Sequence, residues 1–359
     1  MGRVGPTDLE GLLRPRHIRR YGSVAMKVGV VGGGSWGTAL ARLLSAGGTH
    51  DVTLWCRNAT LAAEVTARHE NTRYLPGVQL PDALRATADL GAALAGAALV
   101  VAVPPSHAMR EVLERAGSLV PRGAILVTAS KGVEDGTFKT MSAVLAEALP
   151  EHHARIGVLS GPGFAKDVAA GLPTAVTAAA EKAEVARAIQ EAFTTPTFRV
   201  YTSADVVGVE LGGAIKNVIA MAAGVSDGLG LGHSTRAALI TRGLAETTRL
   251  AVKLGADART LAGLSGLGDL VLTCTGDLSR NRAVGLRLGR GERLQDILGG
   301  MTMVAEGVRN TRSVRELARA ASVDMPITEQ MFLLLYEGKS PIQAVSDLMT
   351  RQLKAEVES

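Results

Sequence analysis

The chain has 359 residues, more than one hydrophobic core usually covers, so two domains are expected. With 47% hydrophobic and 20% charged residues it is not a disordered tail. A net charge of +5 favours anionic ligands, but 3% aromatic residues leave few platforms for single-stranded nucleic acid, so phosphorylated small molecules are the better expectation.

The first stretch stands apart. Residues 1–25 carry Arg3, Arg14, Arg16, Arg19 and Arg20 without a long apolar segment or a small-residue cleavage site, so they are not a secretory signal. Set against an Arg-rich transit peptide, the plainer expectation is a disordered extension, or a start codon chosen ahead of Met26. From Met26 onward, strand and helix patterns alternate. Lys27 to Val31 reads as a short buried strand, followed at once by Gly32, Gly34 and Gly37 in G-x-G-x-x-G spacing. Leu40, Leu43 and Leu44 then mark one face of a helix. In this arrangement Gly32 permits the turn, Gly34 lets backbone approach a pyrophosphate, and Gly37 lets helix and sheet pack closely. The helix N-terminus offers N–H groups to the phosphates. Strand before and helix after make this a dinucleotide-binding loop.

Further strands follow at Asp51–Trp55, Ala98–Val103, Ala124–Thr128 and Ile156–Leu159, with Thr174–Ala178 and Phe198–Tyr201 as edge strands. Helices are expected over Leu61–His69 and from Ser106, as cap, to about Gly117. His152-His153 reads as an exposed loop pair. Buried strands separated by helices imply a parallel sheet covered on both faces. After Tyr201 helical periodicity takes over: Asp205–Ala223, Thr235–Leu254, Val284–Leu288, Ser313–Ala321 and Thr328–Tyr336. The expected plan is α/β: a Rossmann-like doubly wound domain over 26–200, then an all-α domain over 201–351 and a tail at 352–359. A cleft at their junction is the expected ligand site.

No apolar run reaches the ~18 residues of a membrane helix. The longest, Ala92 to Val103, is broken by Gly96 and stopped by Pro104-Pro105. Cys56 and Cys274 lie far apart without C-x-x-C spacing, which indicates neither zinc nor a disulfide framework and fits a reducing cytoplasm. No metal is expected.

The second strand ends Trp55-Cys56-Arg57-Asn58, where NAD-binding sheets place an acid on the ribose. Arg57 suits a 2′-phosphate or stacks on adenine, so NADP is accepted without excluding NAD. Three later stretches bring charge into small or apolar surroundings. Lys131 follows a strand directly, at the edge where parallel sheets bind ligands. Lys216 lies in Glu210–Ile219, where two adjacent glycines in a helix cost up to about 1 kcal/mol each and suggest close approach to that face. A lysine there either snorkels to solvent or holds a depressed pKa and exchanges a proton. In the third stretch Asp269 and Thr273 are four apart, and Ser279 caps a helix starting near Arg280. With Asn281 these make an anion site for a phosphate.

Together these residues resemble the NAD(P)-dependent glycerol-3-phosphate dehydrogenases of the bacterial biosynthetic type. The resemblance spans Met26 to about Arg351. It includes Gly32–Ala39, Val103-Pro104, Ser106-His107, Ser130-Lys131-Gly132, Ser160-Gly161-Pro162, Leu211–Asn217, Gly268-Asp269-Leu270, Ser279-Arg280-Asn281, Val304–Gly307 and Met325-Pro326-Ile327. It implies a C-terminal domain like that of 6-phosphogluconate dehydrogenase. It also implies reversible hydride transfer between NAD(P)H and dihydroxyacetone phosphate, giving sn-glycerol 3-phosphate for phospholipid synthesis, and a homodimer. On this likeness Lys216 is the proton donor and acceptor. Lys131, Gly161, Gly163, Asp269, Ser279, Arg280 and Asn281 join it at the substrate. Ser35, Trp36, Arg57, Lys131, Ala165, Arg280, Val304 and Glu306 line the cofactor with Gly32, Gly34 and Gly37. One departure stands out: the family usually has Ser where this chain has Gly163, which removes a hydroxyl contact and implies weaker substrate binding.

Overall fold

The computed structural model describes residues 25–301, 303, 305–353 and 355–356. The expected N-terminal extension, apart from Ala25, lies outside them, as does Val304. The chain divides into two compact units. One takes the chain up to Ser130 and Met141–Val206; the other takes Lys131–Thr140 and the chain from Val207 onward. Thus Lys131, expected in the sheet domain, clusters with the helices.

The strands of the first unit are β1 (Lys27–Val31), β2 (Asp51–Trp55), β3 (Arg85–Thr87), β4 (Leu99–Ala102), β5 (Ile125–Thr128), β6 (Ile156–Ser160), β7 (Thr174–Ala179) and β8 (Phe198–Ser203). Among the described residues they form one sheet in the order β3-β2-β1-β4-β5-β6-β7-β8. Alternation puts Val28, Val30, Leu99 and Val101 in one buried cluster and Val31, Val100 and Ala102 in another, so both faces are covered. The covering helices are α1 (Ser35–Ser45), α2 (Ala59–Arg68), α3 (Leu90–Leu94), α4 (Met109–Ala116), α5 (Met141–Ala148), α6 (Ala165–Ala169) and α7 (Ala183–Phe193).

Four expectations need correction here. The sheet is mixed, because β7 runs antiparallel to β6 and parallel to β8. Paired on both sides, β7 is an interior strand, so of the two strands expected at an edge only β8 lies at one, and β3 forms the other edge. The short α6 carries the chain past the strand end without the crossover that a parallel return requires. Ser106 does not cap α4: it opens a 3₁₀ turn after Pro105, and Ala108 takes the cap position. His152 is buried while His153 is exposed, since neighbouring side chains on that 3₁₀ turn diverge.

The second unit contains α8 (Val206–Gly228), α9 (Gly232–Lys253), α10 (Ala258–Leu261), α11 (Asp269–Thr275), α12 (Arg280–Gly289), α13 (Leu294–Gly299), α14 (Glu306–Ala320), α15 (Pro326–Tyr336) and α16 (Pro341–Met349). Its spine is α8, buried from Gly208 to Ser226. Among the described residues this helix alone is long and apolar enough to cross a bilayer, yet 89% of its apolar window is buried within the protein. Counting apolar runs overlooked it because Glu210 and Lys216 interrupt it. A helix apolar on every side is a core helix here. Against it lies α12. A Cβ at Gly224 would stand 2.1 Å from the Arg282 carbonyl oxygen, and one at Gly285 2.0 Å from that of Met221. Backbone-to-backbone packing of this kind fixes the start of α12, and with it Arg280, relative to the Lys216 helix.

Candidate active site

In the first unit the glycine loop joins β1 to α1, and its three glycines serve three different ends. Gly32 adopts φ +130°, outside the range of side-chain-bearing residues, beside the Val103 backbone. A Cβ on Gly37 would lie 1.9 Å from the Gly32 carbonyl oxygen, so only glycine lets α1 start there. A Cβ on Gly34 would meet nothing within 4 Å. Gly34 is also the N-cap of α1, which has no side-chain cap. Open space before an uncapped helix start is what a pyrophosphate requires, so these residues fit a dinucleotide. Two single substitutions separate the roles. Gly34→Ala is expected to leave thermal stability unchanged and weaken dinucleotide binding about tenfold or more. Gly37→Ala is expected to cost roughly 1–3 kcal/mol of stability through overpacking. Thermal melts and cofactor titration of the two variants check this.

Ser35, Trp36, Ala165 and Gly163 lie at or beside that loop. Ser35 donates its hydroxyl to the Tyr74 carbonyl at 2.7 Å. Trp36 and Ala165 pack against one small cluster, and a Cβ on Gly163 would press to 3.2 Å from the Trp36 ring. Glycine at 163 therefore leaves room for Trp36, a packing reason for the departure noted in the sequence. Gly161 takes φ +147° against Val176. Arg57 is exposed just past β2, beside Cys56, whose thiol fills the space over Gly33.

In the second unit the charges converge. Asp269 is fully buried at the start of α11 and joins two ammonium groups. Lys131 Nζ donates to its Oδ2 at 2.5 Å, and Lys216 Nζ donates to its Oδ1. Lys216 also donates to Thr273 Oγ1 at 2.7 Å, while that hydroxyl donates to the Asp269 carbonyl at 2.6 Å. The sequence spacing paired Asp269 with Thr273, but gave Thr273 no role; it is the lysine's second acceptor. Burial lowers the Lys216 pKa to about 7; the Asp269 carboxylate works against this and the Lys131 charge adds to it. Such an amine changes protonation state near neutrality while fixed in place. One of the two adjacent glycines of α8 also finds its reason: a Cβ on Gly212 would stand 2.6 Å from the Ser265 carbonyl oxygen. Ser265 belongs to the π-turn Leu264–Gly268 that delivers Asp269. The close approach inferred from sequence is by protein backbone, and it sets the distance from α8 to α11.

At the start of α12, Ser279 caps the helix as expected, accepting from the Arg282 N–H at 3.2 Å. Asn281 turns inward. Its amide donates to Asn217 Oδ1 at 2.9 Å and accepts from the Gly307 N–H at 3.0 Å, tying α8, α12 and the first turn of α14 together. Arg280 has an exposed side chain, yet its guanidinium is partly desolvated, which holds its pKa below the usual value while nearby Glu306 opposes the shift. The structure thus brings Lys131, Lys216 and Asp269 together. It places Ser279, Arg280 and Asn281 in sequence along one helix start, where Ser279 accepts from Arg282 and Asn281 bonds to Asn217 and Gly307. Asn217, next to Lys216, went unassigned in the sequence because its partner lies on another helix.

Comparisons with known proteins agree with this construction. Residues 27–186 match the family of the NAD-dependent glycerol-3-phosphate dehydrogenase N-terminus, and 205–346 that of its C-terminus. Proteins of Geobacter sulfurreducens and Citrifermentans bemidjiense, both named glycerol-3-phosphate dehydrogenase [NAD(P)+], are similar to this chain. The first is 57% identical over 331 residues, 92% of this chain and 98% of that protein. The second is 56% identical over 334 residues, 93% of this chain and 99% of that protein. The crystal structure of glycerol-3-phosphate dehydrogenase from Coxiella burnetii is 40% identical, covers 91% of this chain and 100% of its own, and has a TM-score of 0.87.

Proposed function

The chain belongs to the NAD-dependent glycerol-3-phosphate dehydrogenase family, and we propose that within its reaction Lys216 passes the proton while Arg280 binds the substrate phosphate. The substrate pair is dihydroxyacetone phosphate and sn-glycerol 3-phosphate, with NAD or NADP as hydride carrier. One observation carries the reading: a buried ammonium, held between Asp269 and Thr273, with a pKa of about 7.

The nicotinamide, when bound, supplies the hydride to the ketone carbon or takes it back. The residues of the chain handle the rest. Charge develops on the substrate oxygen as hydride arrives, and a fixed cation in a site of low polarity stabilises it more than water would. Lys216 in its ammonium form gives that oxygen a proton in the reductive direction; as the free amine it takes one in the oxidative direction. Asp269 holds both lysines in register. Thr273 directs the Lys216 ammonium, since its own proton is engaged by the Asp269 carbonyl. The guanidinium of Arg280 at the start of α12 offers a forked donor for phosphate. The Gly32–Gly37 loop would hold the dinucleotide pyrophosphate, and Arg57 suits a 2′-phosphate. Free, buried Cys56 and Cys274 support a reducing, cytoplasmic setting.

The test follows reduced-nicotinamide absorbance with NADH and NADPH side by side. Dihydroxyacetone phosphate should be consumed. Arg280→Ala should raise its KM roughly ten- to a hundredfold, the cost of a lost charged hydrogen bond, and leave unphosphorylated ketones unaffected. An equal effect on both ketones would remove the phosphate assignment, and a flat trace with cofactor bound would make the chain a dinucleotide sensor.

A further inference from the structure

Lys131 stands at the head of a ten-residue excursion, Lys131–Thr140, that belongs to the helical unit while the chain on either side belongs to the sheet unit. The excursion is a closed strap. Val133 and Thr140 form an antiparallel bridge, the Glu134 N–H donates to the Lys139 carbonyl at 2.9 Å, and the Phe138 N–H donates to the Glu134 carbonyl at 3.0 Å. The turn passes through Gly136 at φ +83° and Phe138 at φ +60°, so the loop holds one tight shape. Its feet are specific. Val133, 2% exposed, sits in the buried cluster that contains Leu211, Ala214 and Ile215, the α8 residues just before Lys216. Asp135 accepts a hydrogen bond from the hydroxyl of Ser313, a buried residue of α14, and Arg309 of the same helix lies 3.9 Å from its other oxygen.

We propose that Asp135 and Ser313 are positioning residues for the reaction: they clamp the 131–140 strap to α14, so that Lys131 is held on the same carboxylate as Lys216. The claim rests on the reading of Lys216 as the proton-transferring group. Lys131 has a long, flexible side chain, and its ammonium reaches Asp269 only while its backbone stays put. Three residues separate it from Asp135, the Val133 foot among them, so the strap is short enough for the clamp to govern its first residue. Among the described residues, the titratable and charged groups facing Lys216 are Asp269 and Cys274 from α11 and Lys131 from the strap. Of these only Lys131 is delivered by the strap. When the strap loosens, a like charge recedes from Lys216 and Asp269 is left to it alone. Both changes favour the ammonium form.

The experiment compares Asp135→Ala, Asp135→Asn and Ser313→Ala in the full chain. Asparagine keeps the oxygen that accepts from Ser313, and Asp135 is 47% exposed, so its replacement leaves the core intact. Lysines labelled with ¹³C at Cε report the Lys216 titration directly by NMR, with Lys216→Met assigning the signal. Asp135→Ala and Ser313→Ala should raise its midpoint by about half a unit or more, and raise KM for dihydroxyacetone phosphate roughly tenfold or more through misplacement of Lys131. Asp135→Asn should titrate like the parent protein. Identical Lys216 titrations in all three variants would overturn the proposal, even if melting temperatures fall. The NMR readout needs no turnover, so failure of the reaction reading shows separately, as absence of ketone reduction by the parent protein.

Discussion

Replacing Lys216 by methionine is expected to lower kcat roughly a hundred- to ten-thousandfold, the range over which a positioned acid or base acts. Dinucleotide binding should persist, because the Gly32–Gly37 loop lies in the other unit. Folding should persist too: Asp269 retains Lys131 as its partner at 2.5 Å, so the variant leaves no lone buried carboxylate. The pH dependence gives the sharper signature. With a pKa of about 7, Lys216 holds its proton below neutrality and loses it above. Reduction of the ketone needs the ammonium, so its rate should fall as pH rises through about 7. Oxidation of the alcohol needs the free amine and should fall as pH drops through the same value. Lys216→Arg keeps the charge but does not titrate in this range, and it should remove both inflections. Steady-state kinetics in both directions, across pH 5 to 9, check the point; parallel profiles for the two directions would contradict it.

Asp269→Asn is expected to damage both stability and chemistry. Removing one partner of a buried ion pair typically costs about 3–5 kcal/mol, because the remaining charge is stranded. Here two ammonium groups would be left facing each other. Lys216 would also lose the attraction that opposes its desolvation, so its pKa should fall below the present value of about 7. Reduction at neutral pH should therefore collapse further than oxidation, and partly recover on acidification. Adding Lys131→Met to Asp269→Asn removes the second stranded charge and should return part of the lost stability. A double-mutant cycle measured by denaturant unfolding reads that coupling directly. Strict additivity would mean that the two residues are not coupled through the shared carboxylate.

Helices of the second unit show how far local pattern carries. The periodicity over Val284–Leu288 and Ser313–Ala321 marks real helices, but α12 and α14 begin earlier, at Arg280 and Glu306. At α12 the Ser279 cap was visible. At α14 the cap is Ala305, which has no side-chain acceptor, and the first turn is capped by Asn281 from another helix. The three-residue β3 and the terminal α16 went unread for a related reason. Arg85–Thr87 is too short for alternation to register, and Ile342 and Met349 of α16 face outward, so their spacing marks no buried stripe.

What the sequence by itself determined is everything local in period and chemistry: the strand–glycine–helix start of the nucleotide loop, the α/β plan followed by helices, and the identity of Lys131, Lys216 and Asp269 as charges in apolar surroundings. Tertiary structure alone decided how those charges meet. Lys216 and Asp269 are 53 residues apart and Lys131 and Asp269 are 138 apart, and no periodicity spans such distances. Their meeting depends on the approach of the Ser265 backbone to Gly212 and on the burial of Val133 beside α8. Both are properties of packing, which only a folded chain possesses. The pKa of Lys216 belongs to that second group as well, because desolvation exists only once the amine is enclosed.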